Sequence, residues 1–144
     1  MTTHHKVTSQ VRVLYADTDQ MGVVNNVNYL RWFEVGRAEM MRSLGRSYRD
    51  VEAAGIRLPV VEARCHYRKP ARYDDLLAIE TGIRELSRAS VRFGYRVVRE
   101  EDGELLAWGS TTHCFLDRDD RPTRPPPEFR DLLARAPRAG DPSA

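Results

Sequence analysis

The sequence is poor in several features that mark whole classes of protein. It has two cysteines, Cys65 and Cys114, so at most one disulfide is possible, and two buried thiols in strands are the plainer interpretation. It has no apolar run near the roughly 20 residues that a membrane helix needs. The N-terminus also lacks the apolar segment of a signal peptide. We therefore expect a cytoplasmic protein with no membrane partner.

The chain also lacks a large excess of charge of either sign. Lysine and arginine number 23 against 21 aspartates and glutamates, and the resulting net charge of +2 predicts no nucleic-acid partner. No His, Cys and carboxylate residues follow the spacing of metal ligands, and we interpret His4 and His5 as part of a frayed end. The sequence has no Gly-x-Ser-x-Gly motif, and neither cysteine lies beside a histidine in a nucleophile motif. We expect neither a metal nor a separate cofactor.

The length of the chain is that of one domain. Its 144 residues can bury a core without help from a disulfide or a metal. The three prolines at 125–127 interrupt regular structure, and a short helix is predicted from about Glu128 to Arg135. The composition after that point is typical of a disordered tail. We therefore assign residues 1–135 to a single domain and residues 136–144 to a disordered tail.

Hydrophobic periodicity predicts the order of the elements. Alternating residues indicate a first strand over residues 7–15, and apolar residues at steps of three and four indicate a helix from about Asn26 to Leu44. Gly36 lies inside that helix at a cost of about 1 kcal/mol relative to alanine, so we expect the helix backbone to approach a sheet closely there. Four further strands follow, near residues 61–68, 77–84, 91–97 and 105–116, and short turns between them favour a meander.

This order predicts an α+β fold, in which a long helix packs against a five-stranded antiparallel sheet. Such a sheet has two exposed edges. Pairing of edges between subunits is one way to cover them, so a homo-oligomer is plausible from the fold alone.

The segment Asp17–Tyr29 carries the clearest chemical pattern. Two acids, Asp17 and Asp19, end the first strand, Gly22 supplies a turn, and Asn25 and Asn26 open the long helix. Free N–H groups at a helix N-terminus favour negative charge, so a carboxylate beside such an end can serve attack on a carbonyl. The start of this pattern also matches a calcium loop, but Met21 and Asn28 occupy positions where that loop needs oxygen ligands.

These residues resemble the hotdog-fold acyl-CoA thioesterases, in the branch of 4-hydroxybenzoyl-CoA thioesterase and its YbgC/FadM-like relatives. The resemblance rests on Asp-x-Asp-x-x-Gly-x-Val at Asp17–Val24 and on Asn-Asn-x-x-Tyr-Leu-Arg-Trp-Phe-Glu at Asn25–Glu34. The segments Tyr67–Leu76 and Phe115–Asp117 extend it. It implies a hotdog fold, a homodimer with joined sheets that assembles into a tetramer, and hydrolysis of a CoA thioester at a subunit interface.

The resemblance also implies roles for individual residues. Asp19 is the implied catalytic carboxylate, and the backbone N–H of Asn26 is the implied donor to the thioester oxygen. Arg68, Lys69 and Arg72 are further candidates for the phosphates of CoA. The candidate substrate-binding residues are Gly22, Val23, Asn25, Tyr29, Val60, Arg88 and Ser90.

Several alternatives stay open on the sequence alone. Asp19 is able to attack the thioester directly or to activate a water, and its residue type also suits a plain turn former. Asp17 is better interpreted as a structural residue that holds the turn. A non-catalytic acyl-CoA-binding module is the main alternative function, and a hotdog dehydratase is disfavoured because the motif contains no histidine. The acyl group, the choice between CoA and acyl carrier protein, and the choice between dimer and tetramer stay undetermined.

Overall fold

The computed structural model describes residues 6–142, so the predicted frayed pair His4 and His5 lies outside the described residues. The strands within them are β1 (Val7–Arg12), β2 (Val60–Tyr67), β3 (Leu76–Leu86), β4 (Ser90–Arg99) and β5 (Leu105–Cys114). The α-helices are α1 (Val27–Ser43), α2 (Tyr48–Ala53) and α3 (Pro127–Ala134). The long predicted helix and the predicted C-terminal helix are both present, each within two residues of its expected bounds.

The strands form one five-stranded antiparallel sheet in the order β1-β3-β4-β5-β2, which confirms the predicted α+β class. The predicted meander of the last four strands is wrong, because β2 pairs with β5 and not with β3. The connection at residues 68–75 is longer than a hairpin loop, which typically has about 2–5 residues. It carries the chain across to β1, beside which β3 begins.

Helix α1 packs on one face of this sheet, where Trp32, Phe33 and Met40 are fully buried. The Phe33 ring stacks on Tyr95 of β4, with ring centroids 4.3 Å apart. Gly36 lies where the helix meets β3, because an added Cβ would come 2.3 Å from Thr81 Oγ1. The expected close approach at Gly36 is therefore confirmed.

A short helix, α2, lies in a stretch for which the sequence predicted only a loop. Ser47 caps it, since the Ser47 hydroxyl accepts the Asp50 N–H at 3.2 Å and the Asp50 carboxylate accepts the Ser47 N–H at 3.1 Å. This reciprocal pair is a capping box, and its Ser-x-x-Asp signature was present in the sequence. One turn and a half of helix is too short to show an apolar period.

The segment after α3 differs from the expected disordered tail. Pro137 accepts the Ile83 N–H at 2.7 Å, and Ala139 donates to the Ile83 carbonyl at 2.9 Å. The cause is the length of β3, since β1 pairs with β3 only as far as Thr81 and leaves Ile83 without a strand on that side. Residues 137–139 supply the hydrogen-bond partners for Ile83 at this open edge of β3. Ser143 and Ala144 lie outside the described residues.

Both cysteines are free thiols and both are partly buried in strands, Cys65 in β2 and Cys114 at the end of β5. The described part of the chain holds no helix with the length and apolar character to cross a membrane.

Candidate active site

The motif loop between β1 and α1 folds as a tight hairpin. Thr18 bridges Val24, Asp19 donates its N–H to the Val23 carbonyl at 2.9 Å, and Gly22 donates to the Asp19 carbonyl at 3.0 Å. Gly22 has a φ of 77°, a left-handed conformation that glycine adopts without strain. The predicted turn role of Gly22 follows from this geometry, and the hairpin presents Asp19 at its first corner.

The Asp19 carboxylate is exposed at this corner. Its Oδ1 accepts the Met21 N–H at 2.8 Å, which orients the side chain. Its Oδ2 accepts no hydrogen bond from any residue in the described part of the chain. One oxygen of Asp19 is therefore held by the turn while the other stays open toward solvent.

Asp17 has the opposite environment, because it is 5% exposed and its carboxylate is fully used. Oδ2 accepts the Leu14 N–H at 2.8 Å, and Oδ1 accepts a hydrogen bond from Arg31 of α1 at 2.6 Å. The Leu14 bond belongs to a single 3₁₀ turn at Tyr15–Asp17, which ends the first strand earlier than predicted. These contacts agree with the structural interpretation of Asp17.

The start of α1 is tied to the same loop. The Asp17 carbonyl accepts the Asn25 N–H at 2.8 Å and the Asn28 side-chain amide at 2.9 Å. Asn25 caps the helix, since its Oδ1 accepts the Val27 N–H at 3.2 Å. The Asn26 side chain makes no capping bond. Over residues 6–142, the Asn26 N–H finds no hydrogen-bond acceptor, so this donor is open at the helix end.

A cleft of about 210 Å³ opens beside this helix end. Three of its lining residues, Val23, Asn26 and Tyr29, were predicted as site residues from the sequence. Two of the predicted phosphate ligands also line it, although Lys69 already pairs with Glu104 at 2.7 Å. The remaining lining residues were not predicted as site residues from the sequence. The complete lining is Val23, Val24, Asn26, Tyr29, Tyr67, Arg68, Lys69 and Pro70.

Tyr67 is the main residue that the sequence did not single out. Its ring lies edge-on to Tyr29 with centroids 5.1 Å apart, and its hydroxyl lies 3.4 Å from the Asn26 carbonyl. Its place in the alternation of β2 put it on the α1 side of the sheet. That alternation could not show that the last residue of β2 reaches the first turn of α1.

The two tyrosines of the cleft and the neighbouring Cys65 thiol are neutral at physiological pH. Desolvation, with a smaller effect of Cys65, raises the pKa of Tyr67 to about 12, and desolvation also raises the pKa of Tyr29. Burial raises the pKa of the Cys65 thiol to about 11, so this cysteine is a poor nucleophile. Asp19, Gly22 and Asn25 lie in the motif loop and are not part of the cleft lining.

The other predicted substrate-binding residues lie elsewhere. Val60 pairs with His113 and Ser90 pairs with Cys114, whereas Tyr67 pairs with Ala107 at the far end of β5. Val60 and Tyr67 are seven residue steps apart, which correspond to roughly 23 Å of extended strand. Arg88 is exposed in the turn before Ser90. Val60, Arg88 and Ser90 are therefore not brought to the Asn26 cleft within one chain.

No group of three His, Cys, Asp or Glu side chains within residues 6–142 is arranged to hold a metal ion.

Comparisons with known proteins agree with this geometry. The model of the thioesterase-like superfamily matches residues 13–133. YneP of Bacillus subtilis (strain 168), a protein named for acyl-CoA thioesterase activity, is 35% identical over 115 residues, which are 80% of this chain and 83% of YneP. The acyl-CoA thioester hydrolase YbgC of Escherichia coli O6:H1 is 37% identical over 92 residues, which are 64% of this chain and 69% of YbgC.

Solved structures have the same fold. The DHNA-CoA thioesterase of Staphylococcus aureus superposes with a TM-score of 0.85 at 32% identity, over 90% of this chain and 89% of that one. The hotdog fold and the thioesterase resemblance inferred from the sequence are confirmed. The chain belongs to the thioesterase-like superfamily of hotdog-fold hydrolases.

Proposed function

We propose that this protein hydrolyses an acyl-CoA thioester, with Asp19 as nucleophile or general base and the Asn26 N–H as donor to the thioester oxygen. The observation that supports the proposal is the open Asn26 N–H at a helix N-terminus, beside a cleft that is also lined by Val23 and Val24 of the hairpin bearing Asp19. Asp19 itself does not line this cleft in one copy. The names of the relatives YneP and YbgC support CoA thioesters as the substrate class.

The chemistry follows from these groups. A carbonyl oxygen placed at the Asn26 N–H gains negative charge as the carbonyl carbon is attacked, and a fixed donor at a helix end stabilises that charge. In one route the open Asp19 oxygen attacks, CoA leaves as a thiolate, and water then cleaves the acyl-aspartyl anhydride. In the other route Asp19 takes a proton from a water that attacks the carbonyl directly. Both routes end in free acid and CoA.

The proposal places the complete site between two copies of the chain. Strand β2 is an eight-residue edge whose Val61 is 60% exposed, and in one copy nothing among residues 6–142 pairs with its outer side. Antiparallel pairing of β2 with β2 of a second copy would set the Val60 end of one beside the Tyr67 end of the other. Val60, Arg88 and Ser90 of one copy would then approach the Asn26 cleft of its partner.

In this arrangement the Asn26 cleft holds the thioester, and Val60 of the second copy lines the acyl group. Arg88 and Ser90 face the phosphates of CoA, with Arg68 as a further cation at the mouth of the cleft. A tetramer made from two such dimers, a cytoplasmic location and the absence of any cofactor stay predictions from the sequence.

The test is free-thiol release from a panel of aliphatic and aromatic acyl-CoA esters. We expect turnover with at least one ester, and the best substrate identifies the acyl preference. Binding of the matching non-hydrolysable thioether is measured in parallel. Tight thioether binding without thiol release on any ester would contradict hydrolysis and favour the acyl-CoA-binding module.

The dimer is tested by sedimentation equilibrium of the wild type and of Val61→Glu. Because Val61 is exposed in one copy, the substitution leaves the monomer fold intact, but it places a charge in the proposed β2–β2 seam. We expect a dimer or tetramer for the wild type and a shift toward monomer, with loss of thiol release, for Val61→Glu. A monomeric and fully active wild type would contradict a site shared by two copies.

A further inference from the structure

A chain of buried hydroxyl and imidazole groups runs through the core beneath β4 and β5. Tyr95, Thr111 and His113 are 1%, 3% and 1% exposed. The Tyr95 and Thr111 hydroxyls lie 2.5 Å apart, the Thr111 hydroxyl lies 2.9 Å from His113 Nε2, and His113 Nδ1 lies 3.0 Å from the Leu58 carbonyl. Neither the fold nor the proposed hydrolysis requires polar groups at these core positions.

The contact between His113 Nδ1 and the Leu58 carbonyl fixes the direction of every hydrogen bond in this network. A carbonyl oxygen can only accept, so His113 Nδ1 carries the proton and donates to Leu58. Nε2 of the neutral ring then accepts from the Thr111 hydroxyl, and the Thr111 oxygen accepts from Tyr95. Burial, with a smaller effect of the Arg37 charge, lowers the pKa of His113 to about 4, although the Leu58 bond acts the other way. The imidazole ring is therefore neutral at physiological pH.

Leu58, the last acceptor of this hydrogen-bond network, lies where the pairing of β2 with β5 is interrupted. Arg57 exchanges two backbone hydrogen bonds of 2.9 Å with Leu116, and Val60 pairs with His113. Between them stands Pro59, which has no N–H to give, and a register shift follows between Val60 and Glu62. The backbone is thus poorly tied at Leu58 and Pro59, and the His113 side chain supplies a bond that the ladder lacks.

We propose that His113 is a positioning residue that fixes the segment Leu58–Val60 and thereby sets which acyl groups the enzyme accepts. The inference rests on the proposed function in one respect, because it takes Val60 to line the acyl group. Thr111 serves the same end by holding the imidazole in the tautomer that donates to Leu58. Tyr95 anchors Thr111 in turn.

The variants His113→Asn and His113→Gln separate the two ring nitrogens. The asparagine amide nitrogen occupies the place of Nδ1 and can still donate to Leu58. The glutamine amide reaches the place of Nε2 and leaves the Leu58 carbonyl without its donor. Both changes remove the imidazole ring, so the core loses similar packing in each, and only the Leu58 bond distinguishes them.

Backbone hydrogen exchange tests positioning without any use of activity. We expect the Val60 amide and the Arg57 amide, which donates to the Leu116 carbonyl beside Leu58, to exchange at least roughly tenfold faster in His113→Gln than in His113→Asn, with equal exchange in α1. Equal exchange of the segment in both variants would overturn the role of His113, even in a protein that hydrolyses no thioester. The proposed function and this inference can therefore fail separately.

Acyl selectivity is the second readout. With the best ester from the panel and acetyl-CoA as substrates, we expect the ratio of their kcat/KM values to fall roughly tenfold in His113→Gln, through KM for the larger ester. His113→Asn should keep the wild-type ratio. A purely structural histidine would lower both activities equally and leave the ratio unchanged, which would overturn the specificity role.

Where His113→Gln fails to fold, the pair Thr111→Val and Thr111→Ser takes its place. The serine keeps the hydroxyl that holds the tautomer, and we expect only the valine to loosen Leu58–Val60. In the wild type, nitrogen NMR of the imidazole should show a protonated Nδ1 and a bare Nε2. The opposite tautomer would overturn the proposal outright.

Discussion

Arg31 of α1 donates a 2.6 Å hydrogen bond to the buried carboxylate of Asp17, whose second oxygen accepts the Leu14 N–H. This pair joins the first turns of the long helix to the loop that carries Asp19. The Asp17 carbonyl reinforces the joint by accepting from Asn25. The two acids of the motif therefore have different environments: Asp17 holds the helix end in place, and Asp19 faces the solvent beside it.

Asp17→Asn should destabilise the fold while Asp19→Asn should not. An amide at position 17 turns one acceptor into a donor that faces either Arg31 or the Leu14 N–H, so we expect a loss of about 1–3 kcal/mol in the free energy of unfolding. Asp19 is exposed and its asparagine can keep the Met21 contact, so a change within about 0.5 kcal/mol is expected. Urea unfolding followed by circular dichroism measures both. Equal losses would contradict the structural role of Asp17.

Gly36→Ala should destabilise the protein although alanine favours helices. The new Cβ would lie 2.3 Å from Thr81 Oγ1 and 3.0 Å from Ile79 Cγ2, and overpacking of this kind costs about 1–3 kcal/mol. Alanine regains about 1 kcal/mol of helix propensity.

The control for Gly36→Ala is Thr81→Ala, which removes the nearest atom. We expect the double variant to lose about 1 kcal/mol less in the free energy of unfolding than the sum of the losses in the two single variants. Strict additivity would contradict contact between the helix backbone and β3 at this point.

Stability should depend on pH through His113. Its folded pKa of about 4 lies below the ordinary 6.5, so the unfolded chain binds the extra proton first as the pH falls. The free energy of unfolding should therefore drop between about pH 6.5 and pH 4, by an amount on the order of 3 kcal/mol. The Arg37 charge acts on this ring and Tyr95 is joined to it through Thr111, but both residues are kept in His113→Asn, so that variant should lack only this part of the pH dependence. Urea unfolding at several pH values measures it.

Removal of residues 137–144 should loosen the end of β3. Ile83 would lose both backbone partners, and we expect a loss of about 1–3 kcal/mol and faster exchange of the Ile83 amide. Removal of residues 143 and 144 alone is the matched control and should change neither. Gly82→Ala should loosen the same contact in the full chain, because its Cβ would lie 2.7 Å from the Ala139 nitrogen. An unchanged Ile83 amide in both variants would contradict the packing of this segment.

The sequence predicted the elements whose residues are close along the chain. The 3.6-residue period of α1 and the alternation in β3 to β5 placed those elements, and the motif placed Asn26 and Tyr29 beside a common cleft. The cost of a mid-helix glycine correctly indicated the contact of Gly36 with the sheet. Each of these inferences depends on local geometry, which periodicity and capping report directly.

The remaining features depend on contacts between distant parts of the chain. The pairing of β2 with β5 depends on the path of residues 68–75, which no local pattern encodes. The order of residues 136–142 follows from the greater length of β3 over β1, and the place of Tyr67 follows from where β2 ends. The distance of Val60 and Ser90 from the cleft became visible only with the sheet order.

Whether Asp19 carries the chemistry is decided by kcat for thiol release, measured for Asp19→Asn beside Asp119→Asn. Both residues are exposed aspartates in turns, so the second controls for a lost surface charge. We expect Asp119→Asn to match the wild type and Asp19→Asn to lose activity by about 10²–10⁴-fold, with thioether binding and stability unchanged. Full activity of Asp19→Asn would contradict the assignment and move the catalytic group elsewhere in the site.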